Sequence, residues 1–176
     1  QKKQREFAEK YGLRIHSGEG VCHQILVENY ILPGQVIIGA DSHTCSYGAF
    51  GAFSTGIGST DFVAAIKEGS LWFMVPSALK FQLRGSLPHS VSSKDLILTI
   101  IGDIGANGAN YKTMEFAGDG LKNMSIESRI TLANLTLEAG AKNGIMEADN
   151  DAINYLSHVR DSKITPEVFR SEPTAV

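Results

Sequence analysis

Asp41-Ser42-His43 is where acid–base chemistry can be assembled from neighbouring side chains in this sequence. An imidazole moves protons near neutral pH when a carboxylate fixes its tautomer and stabilises its cation. Asp41 stands two residues before His43, so on an extended backbone the two share a face. His23 is a second candidate, because it opens the apolar run Ile25-Leu26-Val27. Glu138 is a further carboxylate, four residues after Asn134 on a helix expected there, so those two share a face. Their neighbours are Leu132, Ala133, Leu135 and Leu137, which fits an inward-facing polar pair. A solvated stripe on an amphipathic helix has the same spacing. Of the remaining histidines, His89 and His158 lie in polar surroundings and read as surface residues. His16 sits in a loop with Glu19 as its neighbouring carboxylate and has no assigned role.

Other chemistries are open to the same residues. His23, Asp41 and His43 are a conceivable metal ligand set, although the sequence has neither H-x-x-x-H nor C-x-x-C. A polar turn closed by an Asx-type hydrogen bond also explains Asp41-Ser42-His43. Ser42 as a nucleophile lacks the G-x-S-x-G elbow. Cys45 has no basic neighbour in sequence and reads as a small buried residue.

The elements that must position these groups follow from local pattern. Val36 to Ile38 is β-branched and bounded by Pro33-Gly34 and Gly39, which predicts a buried strand. Asp41, Ser42 and His43 then fall just past its C-terminal end, where open parallel sheets bind ligands. Gly48, Gly51, Gly56 and Gly58 follow; such glycines let the backbone approach a bound group and offer N–H groups to an anion. The dinucleotide pattern G-x-G-x-x-G fails at Asp61, and no Gly-Lys-Ser/Thr occurs.

Elsewhere, helices are expected over 1–11 (stopped by Gly12), 23–29, 61–68 (capped by Ser59 or Thr60, with Phe62, Ala65 and Ile66 inward), 94–104 (capped by Ser92 or Ser93), 126–140 (capped by Ser125) and 152–159. Further strands are expected over 80–84 and 112–116 and at Ile145-Met146, with a turn at Asn143-Gly144. Alternating strands and helices give the α/β class. Pro76 marks a boundary between a first α/β segment, 1–75, and a second, 76–165, with a polar tail over 166–176.

Composition narrows the function classes. The 176 residues are 43% hydrophobic and 20% charged, as in a globular protein. The net charge is −3 without a basic run, which argues against nucleic acid and anionic membrane surfaces. No apolar run approaches a membrane span. Two cysteines, Cys22 and Cys45, do not make a disulfide framework, so the expected compartment is the cytoplasm. The chain begins with Gln inside an expected helix, as a piece of a longer polypeptide would.

Several blocks together carry a resemblance. Cys22-His-Gln24, Gly39-Ala-Asp-Ser-His-Thr44, Gly48-Ala-Phe-Gly51 and Thr55-Gly-Ile-Gly-Ser-Thr-Asp61 closely resemble the aconitase superfamily. So do Ser93-Lys-Asp-Leu-Ile-Leu98, Met114-Glu-Phe116 and Ala133-Asn134 followed by Glu138-Ala-Gly-Ala-Lys-Asn-Gly144. Within it the chain is similar to the short archaeal and bacterial large subunits of the branch that holds 3-isopropylmalate dehydratases, homoaconitases and 2,3-dimethylmalate dehydratases. The likeness runs from about Arg5 to Asp149.

The resemblance implies part of a three-layer α/β fold and hydro-lyase chemistry on hydroxy-dicarboxylic or tricarboxylic acids. By position, His23 matches a histidine paired with the aspartate at Asp41, and His43 a histidine near the reacting hydroxyl, supported by the carboxylate at Glu138. Ser42 and Asn134 match substrate-contacting positions. The family's cofactor is a four-iron four-sulfur cluster on three cysteines that come later, one alone and two as C-x-x-C; this chain has neither, so it offers no metal ligands of its own. The family's base comes from a small, swivelling subunit or domain. The implied partners are that subunit and the remainder of a large subunit, and the isolated chain is expected to be inactive. A standalone carboxylate-binding module without catalysis is the alternative.

Overall fold

A computed structural model describes residues 2–166, 168 and 169. The polar tail Ser171–Val176 therefore lies outside the described residues. The element order is α1 (Lys2–Tyr11), α2 (Cys22–Asn29), β1 (Val36–Gly39), β2 (Phe53–Gly56), α3 (Ser59–Glu68), β3 (Ala78–Gln82), α4 (Ser93–Ile104), β4 (Thr113–Ala117), α5 (Ile126–Leu135), β5 (Asn143–Met146) and α6 (Asn150–Val159). Short 3-10 segments occupy Ser42–Phe50, Asp119–Asn123 and Thr136–Ala139. All strand pairs are parallel: β1 with β2, and β3-β4-β5 in sequence order. This is the α/β architecture expected.

Helix ends follow the local chemistry. Ser92 caps α4 in a reciprocal box with Asp95, satisfying two N–H groups that the first turn leaves without partners. Ser125 caps α5 and Asp149 caps α6. The start of α3 differs from expectation: Gly58, not Ser59 or Thr60, is the cap residue, and it has no side chain to donate or accept. Ile66, expected inward, is 49% exposed.

One apolar cluster spans both sheets. Val27, Tyr47 and Phe50 meet Ile97, Met114, Phe116, Leu132 and Met146 in it. The 3-10 segment Ser42–Phe50 is its hinge point, buried continuously from Thr44 to Phe50 and packed on α5, β2 and β5. The 3-10 winding of this stretch and the strand β2 that follows it are not among the elements expected from the sequence.

Four further expectations need correction. β1 is not a buried strand: Val36 is 77% exposed, because β1 pairs with β2 alone among the described strands. β3 starts and ends two residues earlier than predicted, at Ala78–Gln82. Asn143-Gly144 is no turn but the first two residues of β5. Asn143 is fully buried there and its side-chain oxygen accepts from the Ser54 hydroxyl of β2 at 3.5 Å. Finally, the helix expected to Gly140 ends at Leu135 and tightens into a 3-10 turn.

Candidate functional site

The site is built where β1 and β2 end. Gly39 and Gly56 are the last residues of the two strands and are paired with each other. A side-chain carbon on Gly56 would lie 2.7 Å from the Asp41 carbonyl oxygen and from Ser42 Cα. The glycine expected to admit a ligand thus admits the chain itself, letting the Asp41-Ser42-His43 turn rest directly on the sheet end. Gly48 does the same one layer down, its α-carbon facing the Gly144 carbonyl of β5.

Asp41 is extended (φ −112°, ψ 135°) and caps the 3-10 segment, its Oδ1 accepting from the His43 N–H at 2.8 Å. The same oxygen lies 3.0 Å from His23 Nε2 and 3.3 Å from His43 Nδ1. The other nitrogen of His23, Nδ1, is 2.8 Å from the Tyr47 hydroxyl. The two imidazole rings stand 6.3 Å apart. Tyr47, His23, Asp41 and His43 therefore form one continuous polar chain.

Electrostatics fix the direction of that chain. Burial pushes the Tyr47 phenol up, so its proton stays on and it donates to His23 Nδ1. In neutral His23 the proton then resides on Nε2 and is donated to Asp41. The Asp41 carboxyl is held below its usual value, first by the His43 N–H and then by the His23 hydrogen bond, with weak burial acting the other way. His43 points Nδ1 at Asp41, which leaves Nε2 of a side chain that is 44% exposed for exchange with a ligand. His23 is locked at both nitrogens and Asp41 orients both rings.

The remaining predicted residues divide. Ser42 is exposed and lines an open cleft of about 980 Å³, together with Asp41. Asn134 is half-buried, and its amide nitrogen donates to Ser46 Oγ at 2.9 Å. Ser46 in turn donates to the His43 carbonyl at 2.7 Å, so Asn134 braces the segment that carries His43. Glu138 is exposed, and no hydrogen bond or ion pair joins it to His43 among the described residues. The helix break after Leu135 is the reason: Asn134 lies in the last turn of the α-helix and Glu138 in the 3-10 turn, so the four-residue stacking of a continuous α-helix does not apply. Asp41, not Glu138, is the carboxylate at His43.

Sequence reasoning missed Tyr47 and Ser46, which only the 3-10 winding brings under His23 and Asn134. His16, to which the sequence gives no role, has Glu19 at 2.7 Å from Nδ1 and the Tyr30 hydroxyl at 2.7 Å from Nε2. His89 and His158 are exposed, as expected.

The cysteines do not fit an iron–sulfur cluster. Cys22 is exposed at the start of α2. Cys45 is 1% exposed, and burial pushes its thiol up to about 11, while its sulfur donates to the Asn134 carbonyl at 3.5 Å. A cluster ligand must be a thiolate, and this thiol is held protonated. Among the described residues no three His, Cys, Asp or Glu side chains are grouped to hold a metal ion. No described helix is long and apolar enough to cross a membrane.

Comparison with known proteins adds a lineage to this geometry. The 3-isopropylmalate dehydratase large subunit 2 of Archaeoglobus fulgidus is 52% identical over 155 residues, covering 88% of this chain and 37% of its own length. A probable 3-isopropylmalate dehydratase large subunit of Methanothermobacter thermautotrophicus is 47% identical over 174 residues, covering 97% of this chain and 41% of its own length. A probable methanogen homoaconitase large subunit of the same organism is 47% identical over 155 residues, covering 86% and 36%. The chain thus spans about two fifths of the length of the curated relatives it matches. A model of the aconitase family (aconitate hydratase) matches residues 2–172, and the chain belongs to that family.

Proposed function

We propose that this chain is part of the large subunit of a hydro-lyase that moves water between adjacent carbons of a substituted malate, interconverting 2- and 3-hydroxy acids of the isopropylmalate kind. The observation that carries it is the Tyr47–His23–Asp41–His43 chain at a parallel strand end, in a family of hydratases. In this reading His43 Nε2 holds or passes the proton of the substrate hydroxyl. Asp41 keeps that imidazole oriented and stabilises its cation, and His23, pinned by Tyr47, keeps Asp41 in place. Ser42 contacts a substrate carboxylate. Asn134 acts through Ser46 as a positioning residue.

In the whole enzyme a four-iron four-sulfur cluster would supply Lewis-acid activation of the leaving hydroxyl. The cysteines of this chain do not fit it, so in this proposal the group is held by the remainder of the polypeptide. The small subunit and a cytoplasmic location belong to the same proposal. So does a division near Pro76 into two α/β segments, supported by a separate parallel sheet on each side, although the two sheets share one apolar cluster.

The test is complementation. The chain is mixed anaerobically with the missing part of a relative's large subunit, its small subunit, iron and sulfide, and 2-isopropylmalate is followed by ultraviolet absorbance of the unsaturated product. Turnover that disappears with His43→Ala is expected; turnover unchanged by that substitution would overturn the reading. A carboxylate-binding module without catalysis is the second reading, favoured by a cleft that lies on this chain while the cluster thiols do not. Ligand binding with no turnover in any complemented mixture would select it.

A further inference from the structure

The cleft beside Asp41 and Ser42 has a second wall that the acid–base chain does not use. Tyr111 and Lys142, from the loops before β4 and β5, line it, as does Trp72, the single tryptophan of the protein. Lys142 is half-buried, and its ammonium lies 4.8 Å from the centre of the Tyr111 ring. That distance is within cation–π range, and an aromatic face does not neutralise the charge.

Tyr111 has φ +55°, in the left-handed region that a bulky L-residue rarely occupies. Three contacts hold it there. Its N–H donates to the Gly140 carbonyl at 3.1 Å, its hydroxyl to the Met74 carbonyl at 3.4 Å, and its ring stacks on Phe73 at 6.1 Å. Strained residues kept by surrounding contacts gather at ligand sites.

Charge bookkeeping in the cleft points the same way. Lys142 is the one cation among the described lining residues, and none of them supplies a carboxylate within ion-pair distance of it. Asp41 commits its Oδ1 to His23 and His43, and Asp61 lies in the first turn of α3. Lys142, half-buried and with no carboxylate partner among the described residues, shares the cleft with a serine hydroxyl, which favours an oxyanion ligand.

We propose that Lys142, seated over Tyr111, binds a carboxylate of a small dicarboxylic acid in the cleft beside Ser42. The class of ligand rests on the hydro-lyase reading; the site itself rests on the Lys142–Tyr111 geometry.

Trp72 makes the cleft its own reporter. The 176-residue chain is titrated with potassium malate at low salt and Trp72 fluorescence is recorded, with dimethyl malate and potassium chloride as controls. A saturable change with malate alone is expected, weakening as salt rises. Lys142→Gln weakens it about tenfold or more, in line with loss of a charge-assisted hydrogen bond, and Lys142→Arg restores most of it. Circular dichroism of each variant separates loss of binding from loss of fold. Malate affinity unchanged in a folded Lys142→Gln chain would overturn the proposal, as would a wild-type chain with no saturable response. Turnover in the complemented mixture judges the hydro-lyase reading independently: Lys142-dependent binding without turnover leaves this site standing and removes the other.

Discussion

His23 Nε2 and Asp41 Oδ1 lie 3.0 Å apart across 18 residues of sequence, tying the first turn of α2 to the turn after β1. Tyr47, 24 residues from His23, closes the other side of the ring at 2.8 Å. Because the buried phenol keeps its proton, neutral His23 should carry its own on Nε2. Nitrogen-detected magnetic resonance of the histidines checks this directly. Tyr47→Phe removes the donor at Nδ1 and should cost about 1 kcal/mol of stability, as a typical hydrogen bond does. It should also shift His23 toward a mixture of tautomers. A His23 spectrum unchanged by Tyr47→Phe would mean that the hydroxyl does not set the tautomer.

Gly56 carries the turn on its bare α-carbon, so Gly56→Ala forces a methyl group against the Asp41 carbonyl and Ser42 Cα. Overpacking of this kind costs about 1–3 kcal/mol. Because the displaced atoms belong to the site, malate affinity and complemented turnover should fall more than the denaturation midpoint does. Gly48→Ala is the counterpart, since it pushes on Gly144 of β5 and not on Asp41. It should lower stability with a smaller effect on the His23–Asp41 pair. Equal effects on the site from both substitutions would contradict this division.

Much of this frame is written locally. The Ser92–Asp95 box, the β-branched Val36-Ile37-Ile38 and the Ser125 cap each announce an element by short-range chemistry, and all are found. What stays hidden depends on contacts across the chain. Nothing near Thr136 signals a tightened turn; that segment packs against the 3-10 segment Ser42–Phe50, and Gly144 leaves room for the Thr136 side chain. With that turn the Asn134–Glu138 stack dissolves. Asn143-Gly144 has the composition of a turn, yet tertiary packing buries it as a strand beside Ser54. Spacing alone placed Asp41 with His43, while the contact with His23 came from family resemblance and the role of Tyr47 came only from the fold.

The two thiols should differ in reactivity by their surroundings. Cys45 is buried with a thiol raised to about 11, so its thiolate is scarce at pH 8. Cys22 is exposed. Titration of the native chain with a disulfide reagent at pH 8 should give one fast equivalent, with the second appearing only on unfolding. Mass spectrometry after alkylation should locate the fast label on Cys22. Rapid labelling of Cys45 in the folded chain would show that the 3-10 segment opens far more readily than its packing implies.

Arg129 and Asp149 give the sharpest stability test. The guanidinium is 1% exposed and makes its one hydrogen bond with described residues to Asp149 Oδ1, at 2.7 Å, with Asp151 farther off at 3.6 Å. Asp149 also caps α6 by accepting from the Ala152 N–H at 3.1 Å. Burial pushes the Asp149 carboxyl up, but the Arg129 hydrogen bond, the Ala152 N–H and the Arg129 charge together bring it below its usual value. Asp149→Asn keeps a capping oxygen yet takes away the charge hydrogen-bonded to the buried cation, leaving it the exposed Asp151 at 3.6 Å, which should cost about 3 kcal/mol near neutral pH. Asp149→Ala loses the cap as well, at about 1 kcal/mol more. A folded-state value below the unfolded one means that the carboxylate's contribution is complete above the unfolded value, about 3.9, and is lost as pH falls through the folded value. The stability gap between wild type and Asp149→Asn should therefore be constant from pH 7 down to about pH 5 and close in stronger acid. Urea denaturation of both proteins across that range checks it, and a gap that persists undiminished at pH 2 would show that the Asp149 charge is not what holds Arg129.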